Sequence, residues 1–237
     1  MERIDKIIAK ELNIGRSDAK SLIKVGKVFL NGEKVKSSNQ KFDEEKDILN
    51  VDGKEVKARK FVYIMMNKPK GVISSTDGRK TGEKTVVDIL PEEMKRKKLF
   101  PAGRLDKDTT GFMLITDDGE FAHKILNPKH HIPKTYIATL DKPFDEKVIN
   151  AFQKGITIGE DVCLPAKLEP VDNDFCKGKV TINQGMYHQI KRMFKRCGIE
   201  VVELKRIKMG KLELDESLCG GECKYLDENE VNLINSR

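Results

Sequence analysis

The chain lacks any apolar run approaching the roughly 20 residues needed to cross a bilayer. Its start, MERIDKIIAKELNIG, lacks the continuous apolar core and small-residue cleavage site of a secretory leader. The expectation is a cytoplasmic protein with no membrane partner. Cysteine is scarce and odd in number, with Cys163, Cys176, Cys197, Cys219 and Cys223 the only five in 237 residues. That fits reduced thiols better than a disulfide framework. Cys219 and Cys223 could form half of a metal site, but no second Cys or His pair follows at zinc spacing. The adjacent His130 and His131 splay apart, and no further cluster answers them. A GxxxxGK(S/T) phosphate loop and a dinucleotide fingerprint are also missing. Neither a metal nor a nucleotide cofactor is therefore expected. Internal repeats and low-complexity tracts are absent as well.

What the chain does have is charge. Lysine and arginine total 45 against 38 acidic residues, a net of +7, while hydrophobic residues make up 38%. The distribution is uneven: residues 1–41 carry ten basic and five acidic side chains, and residues 58–209 carry 29 and 20. Residues 42–57 and 210–237 are net acidic. Two basic surfaces backed by acidic segments suit a polyanion held along one face.

Taken in order, Ile4, Ile7, Ile8 and Leu12 recur at helical spacing, with Gly15 as the stop. A second helix is expected with Ser17 as N-cap and Ala19, Leu22 and Ile23 inward, ending at Gly26. Val28–Leu30 and Glu33–Val35 flank Asn31-Gly32, a strong hairpin signal. Residues 54–60, KEVKARK, have no periodicity and read as a linker. Phe61–Met66 should be a buried strand closed by the turn Asn67-Lys68-Pro69-Lys70-Gly71. Residues 76–98 read as a polar, lysine-rich loop with one short helical piece. Asp118 should cap a helix burying Phe121, Ala122, Ile125 and Leu126, and Thr135–Leu140 has strand propensity. A short helix from Asp145, strands at 156–158 and 179–182 around an irregular segment, and a basic helix ending at Gly198 follow. Strands at 201–207 and 212–214 and a C-terminal helix complete the pattern. The whole is α+β in two domains, 1–58 and 59–237.

The organising stretch is residues 101–119, PAGRLDKDTTGFMLITDDG. Asp106 lies between a Gly-Arg turn and the apolar run Gly111–Ile115, which sets a carboxylate at the rim of a sheet. On its own, Leu-Asp-Lys-Asp would be an ordinary polar turn. The full segment closely resembles the signature GRLDxDTxGLLLLTxDG of the RsuA-type bacterial ribosomal RNA pseudouridine synthases. Asn67–Gly71 resembles that family's first motif, Lys134-Thr135-Tyr136 its tyrosine motif, and Gly185–Phe194, GMYHQIKRMF, its third. Residues 1–58 resemble the RNA-binding module named after the fourth small-subunit ribosomal protein, the S-four domain.

The resemblance implies a small S-four-like domain followed by a mixed, mostly antiparallel sheet that isomerises uridine to pseudouridine in ribosomal RNA without a cofactor. It implies Asp106 as the nucleophile, Lys191 as its ion-pair partner and Tyr136 as the active-site tyrosine. Arg104 would fill the space a flipped uridine leaves or hold a phosphate, and Ile190 would wall the pocket. Arg3, Arg16, Lys20, Lys24 and Lys27 would grip RNA from the first domain. Lys68, Lys70, His130, His131, Arg192 and Lys195 would do so from the second. The form NPKHHIPKTY is most similar to the small-subunit rRNA enzymes. The expected partner is ribosomal RNA or a ribosome-assembly intermediate, met by a monomer. A large-subunit uridine, a non-catalytic assembly factor, and a glycosidase using Asp106 and Asp108 are the competing readings.

Overall fold

The computed structural model describes residues 1–43, 46–56, 58–78 and 82–236. The chain forms two compact units, Met1–Val62 with Pro91–Leu99, and Tyr63–Leu90 with Phe100–Arg237. The sequence had put the division at 58/59 and had given the whole 91–99 segment to the second domain.

In the first unit the order is β1 (Glu2–Arg3), α1 (Ile4–Glu11), α2 (Arg16–Lys24), β2 (Val28–Leu30), β3 (Glu33–Lys34), β4 (Lys41–Phe42), β5 (Leu49–Val51) and β6 (Lys54–Val56). The inward residues of both helices, Ile4, Ile7, Ile8, Ala19 and Ile23, close on Val28, Leu30, Leu49, Val51 and Val56. Three local details differ from expectation. The helix α1 ends at Glu11 with Leu12 as its C-cap, followed by a left-handed Asn13 at φ +52°, so Gly15 is not its stop. Gly15, not Ser17, is the N-cap of α2, because the Asp18 carboxylate accepts the Gly15 N–H at 3.1 Å. Residues 54–56, read as linker, form β6, turned back from β5 by Asp52 and Gly53 at φ +51° and +79°. Those dihedrals match Asn31 and Gly32 at +52° and +83° in the β2–β3 hairpin. Pro91–Leu99 joins this unit partly through Arg96, which donates to the Glu11 carboxylate at 3.4 Å and the Arg59 carbonyl at 3.3 Å.

The second unit runs β7 (Tyr63–Lys68), β8 (Phe100–Pro101), β9 (Thr110–Thr116), α3 (Gly119–Leu126), β10 (Lys134–Leu140), α4 (Glu146–Lys154), β11 (Thr157–Ile158), β12 (Asp161–Val162), β13 (Lys167–Val171), β14 (Asp174–Ile182), α5 (Gln189–Arg196), β15 (Val201–Met209), β16 (Leu212–Glu213), β17 (Cys223–Tyr225) and α6 (Glu228–Ile234). Nine strands make one sheet, ordered β13-β14-β10-β15-β9-β7-β17, with β16 on β15 and β8 on β9. Among the described strands only β15–β9 is parallel, so the sheet is mixed and mostly antiparallel as expected. The segment read as irregular between residues 158 and 179 holds two hairpins, β11–β12 and β13–β14. In the second, Asp172 and Asn173 are both left-handed, at φ +50° and +59°. The cysteine loop also had an unread role, since Cys223–Tyr225 pairs with β7. In α3, Ala122 and Ile125 are buried as expected, whereas Leu126 is largely outside the core.

Candidate active site

The segment 104–109 precedes β9, and what holds it is the turn after β7. The Ser74 hydroxyl donates to the Leu105 carbonyl at 2.8 Å and accepts the Leu105 N–H at 3.0 Å. The Gly71 N–H donates to the Lys107 carbonyl at 2.8 Å. Above all, Lys68 turns inward. Its Nζ donates to the carbonyls of Thr109 (2.9 Å), Asp106 (3.1 Å), Pro69 (3.2 Å) and Lys107 (3.3 Å). Lys68 is 0% exposed, which corrects its assignment as an RNA-touching residue. Its ammonium serves the loop because those four carbonyls leave the ladder and need donors. Burial pushes the Lys68 pKa down to about 8, against the pull of Asp108 and Asp106 and with further push from Arg206.

The Asp106 carboxylate faces helix α5. Lys191 Nζ lies 3.3 Å from one of its oxygens and His188 Nε2 lies 3.4 Å from the other. Lys191 does not serve Asp106 alone, because it donates to both oxygens of Asp108 at 2.7 and 2.8 Å. Asp108 is the more exposed carboxylate, and the Lys191 hydrogen bond holds its pKa below the ordinary carboxylate range. The helix presents Lys191 outward because Ile190, Met193 and Phe194 are buried beneath it, with Phe194 packed on Phe152 at a 4.8 Å ring separation. The sequence reading passed over His188. The signal was there: three residues before Lys191, it lies on the same helix side at the N-terminus.

Tyr136 joins this region through the sheet. A cross-strand line runs Val180, Tyr136, Arg206, Gly111, Lys68, and paired residues project from one face. Tyr136 and Arg206 are 7% and 2% exposed, and Arg206 Nε donates to the Phe112 carbonyl at 2.6 Å. At the centre Gly111 has φ +96°, and a Cβ there would come 2.2 Å from the Arg206 carbonyl oxygen. Lys134, two residues before Tyr136, is also buried, and burial followed by Arg206 lowers its pKa to about 8. Two buried basic residues, Arg206 across the strand and Lys134 along it, thus neighbour Tyr136 in the sheet.

Of the other expected residues, Ile190 is buried and Arg104 is exposed. Lys70, His131 and Lys195 are exposed, while the His130 ring shares a hydrogen bond with the Lys124 carbonyl at 2.6 Å. Arg192 is half-buried, reaching the Tyr187 and Ile158 carbonyls at 3.4 Å each. In the first unit, Lys20 and Lys24 are exposed and Lys27 pairs with Asp52 at 3.0 Å. Arg3 and Arg16 both bond the Asp5 carboxylate at 2.9 Å, itself 0% exposed.

A fold with a mixed sheet, an aspartate loop at its rim and a lysine-bearing helix against that loop defines a class, and comparison places the chain in it. Residues 62–196 match the RNA pseudouridylate synthase family and residues 2–48 match the S4 domain. An uncharacterized RNA pseudouridine synthase of Bacillus subtilis, YtzG, is 42% identical, with 98% of each chain covered. Ribosomal small subunit pseudouridine synthase A of Haemophilus influenzae is 41% identical, covering 98% of this chain and 99% of its own. A crystal structure of a pseudouridylate synthase superposes with a TM-score of 0.67 at 38% identity, covering 99% of this chain and 100% of the other. The chain belongs to the RNA pseudouridylate synthase family and is an RNA pseudouridine synthase with an N-terminal S4 domain.

Proposed function

We propose that the protein converts a specific uridine of small-subunit ribosomal RNA to pseudouridine in the cytoplasm, acting as a monomer on rRNA or an assembly intermediate. The observation carrying this reading is the Asp106 carboxylate, its two oxygens faced by Lys191 and His188. The small-subunit address is supported by relatives named for that substrate, 38 to 41% identical over nearly the full chain.

The reaction breaks the bond from ribose C1′ to uracil N1, turns the base, and joins C1′ to C5. The C5 proton is then lost and N1 gains one, so nothing is oxidised, reduced or hydrolysed and no cofactor enters the balance. Asp106 begins the work, either as nucleophile or by helping to remove a ribose proton. The Lys191 ammonium, 3.3 Å from an Asp106 oxygen, supplies the positive charge that faces the carboxylate. Tyr136 packs against the uracil and is the candidate base for the C5 proton late in the reaction. Arg104 fills the space the extruded base leaves, or holds a phosphate, and Ile190 walls the pocket. Extruding the base costs a few kcal/mol. Polar side chains of both units, Arg3, Arg16, Lys20, Lys24, Lys27, Lys70, His130, His131, Arg192 and Lys195, hold folded RNA by phosphate contacts.

The test is carbodiimide mapping of rRNA from cells lacking the gene, complemented by wild type or Asp106→Asn. One small-subunit uridine should lose its mark and regain it with wild type only. Restoration by the Asn variant would remove Asp106 from the chemistry. A mark on large-subunit RNA would change the address, and release of free uracil would replace isomerase with glycosidase.

A further inference from the structure

Tyr187 is the most exposed large aromatic of the described residues, at 75%. Large rings are seldom left so open in a chain with only four tyrosines and no tryptophan. It is also not loose: its ring stacks on His188 with centroids 3.8 Å apart and planes inclined by 19°. The other end of that His188 ring is the one facing the Asp106 carboxylate. The backbone is held as well. The Tyr187 carbonyl accepts from Arg192 Nη1, and the neighbouring Met186 N–H donates to Gln189 Oε1 at 3.1 Å. Cys163, the residue after β12, braces the same segment, its Sγ 3.9 Å from Met186 Sδ.

One face of the Tyr187 ring is therefore occupied by His188, and the ring is held flat at the edge of the Asp106 site. Rigid, amphipathic and open on its free side, such a ring suits the π-face of an unpaired nucleobase, which stacks without regard to base identity. Arg192, whose guanidinium bonds the Tyr187 carbonyl, adds positive charge beside the ring for the sugar-phosphate strand. We propose that the Tyr187–His188 stack is a landing platform for a base adjacent to the target uridine, holding the displaced strand while that uridine sits at Asp106. This rests on the uridine-modifying reading above. It adds a nucleobase-binding position that acts on substrate affinity rather than on bond breaking.

The experiment uses the full chain and a short single-stranded RNA containing the mapped uridine, with 2-aminopurine placed at each flanking position in turn. Wild type should quench the fluorophore at one flanking position. Tyr187→Ala should abolish that quench and raise KM about tenfold or more, with kcat changed less than about twofold. Tyr187→Phe, which keeps the ring, should behave as wild type, and the urea midpoint should not move in either variant because the side chain is exposed. An unchanged KM in the Ala variant overturns the platform, as does a Phe variant that fails like Ala or a kcat loss without a KM change. Wild type that forms no pseudouridine in this RNA or in the full transcript defeats the underlying reading, and the platform with it.

Discussion

Replacing Lys68 by methionine tests the architecture most directly, since a similar volume is kept and the ammonium is lost. Four carbonyls lose their shared donor. Those of Pro69, Asp106 and Lys107 are part-buried and can recruit water. The Thr109 oxygen is buried and cannot do so cheaply, and a buried unsatisfied group costs about 1–3 kcal/mol. In the other direction, a lysine whose pKa falls from 10.5 to about 8 carries roughly 3 kcal/mol of strain at neutral pH, which the variant escapes. The two effects nearly offset, so the net change in stability should be no more than about 2 kcal/mol. Activity should fall far more. The Asp106 carbonyl is released, and a carboxylate displaced by about 1 Å loses on the order of 100-fold in rate. Urea unfolding and single-turnover pseudouridine formation separate the two quantities.

The pH dependence adds a sign. Below pH 8 Lys68 is protonated in both folded and unfolded chains, so the cost is fully present. Between about 8 and 10.5 the folded amine is neutral while the unfolded one still takes a proton, so this group's contribution to stability improves as pH rises. Wild type should gain stability relative to Lys68→Met across that window, and the parallel titration of Lys134 cancels in the difference. A methionine variant that is fully folded and turns over at the wild-type rate would refute the role assigned to Lys68.

Two other substitutions test the packing. Gly111→Ala must place a Cβ 2.2 Å from the Arg206 carbonyl at a φ of +96°, so several kcal/mol of stability should be lost, measured by urea unfolding. Asp5→Asn leaves Arg3 and Arg16 without their shared carboxylate and should cost about 1–3 kcal/mol. Although burial alone would raise its pKa, the hydrogen bonds from Arg3 and Arg16 hold Asp5 below the ordinary carboxylate value. Its contribution is therefore present above that value and lost as pH falls through the lowered one. The Asn variant should show a shallower acid transition than wild type, followed by circular dichroism.

Much of this protein is legible in its sequence. Helical periodicity located α1, α2, α4 and α5 to within a few residues, and Asn31-Gly32 located its hairpin. The Asp52-Gly53 and Asp172-Asn173 turns carried the same chemistry and were passed over, because the flanking strands are short or heavily charged and their alternation is faint. Motif order was sufficient to name the family, and Asp106 with Lys191 as a facing pair.

Lys68 shows the limit. In sequence it is a lysine in a turn, indistinguishable from its neighbour Lys70, which is exposed. Which of the two goes inward depends on where carbonyls from residues 106–109 arrive, and those lie about forty positions along the chain. The sharing of Lys191 between Asp106 and Asp108, the approach of His188, and the line from Tyr136 through Arg206 and Gly111 to Lys68 have the same origin. Local sequence determines turns, caps and which face of an element is apolar, because those depend on residues within a few positions. Partnerships between charges are decided by strand register and helix seating, since the energy of a buried ion follows from what surrounds it in space.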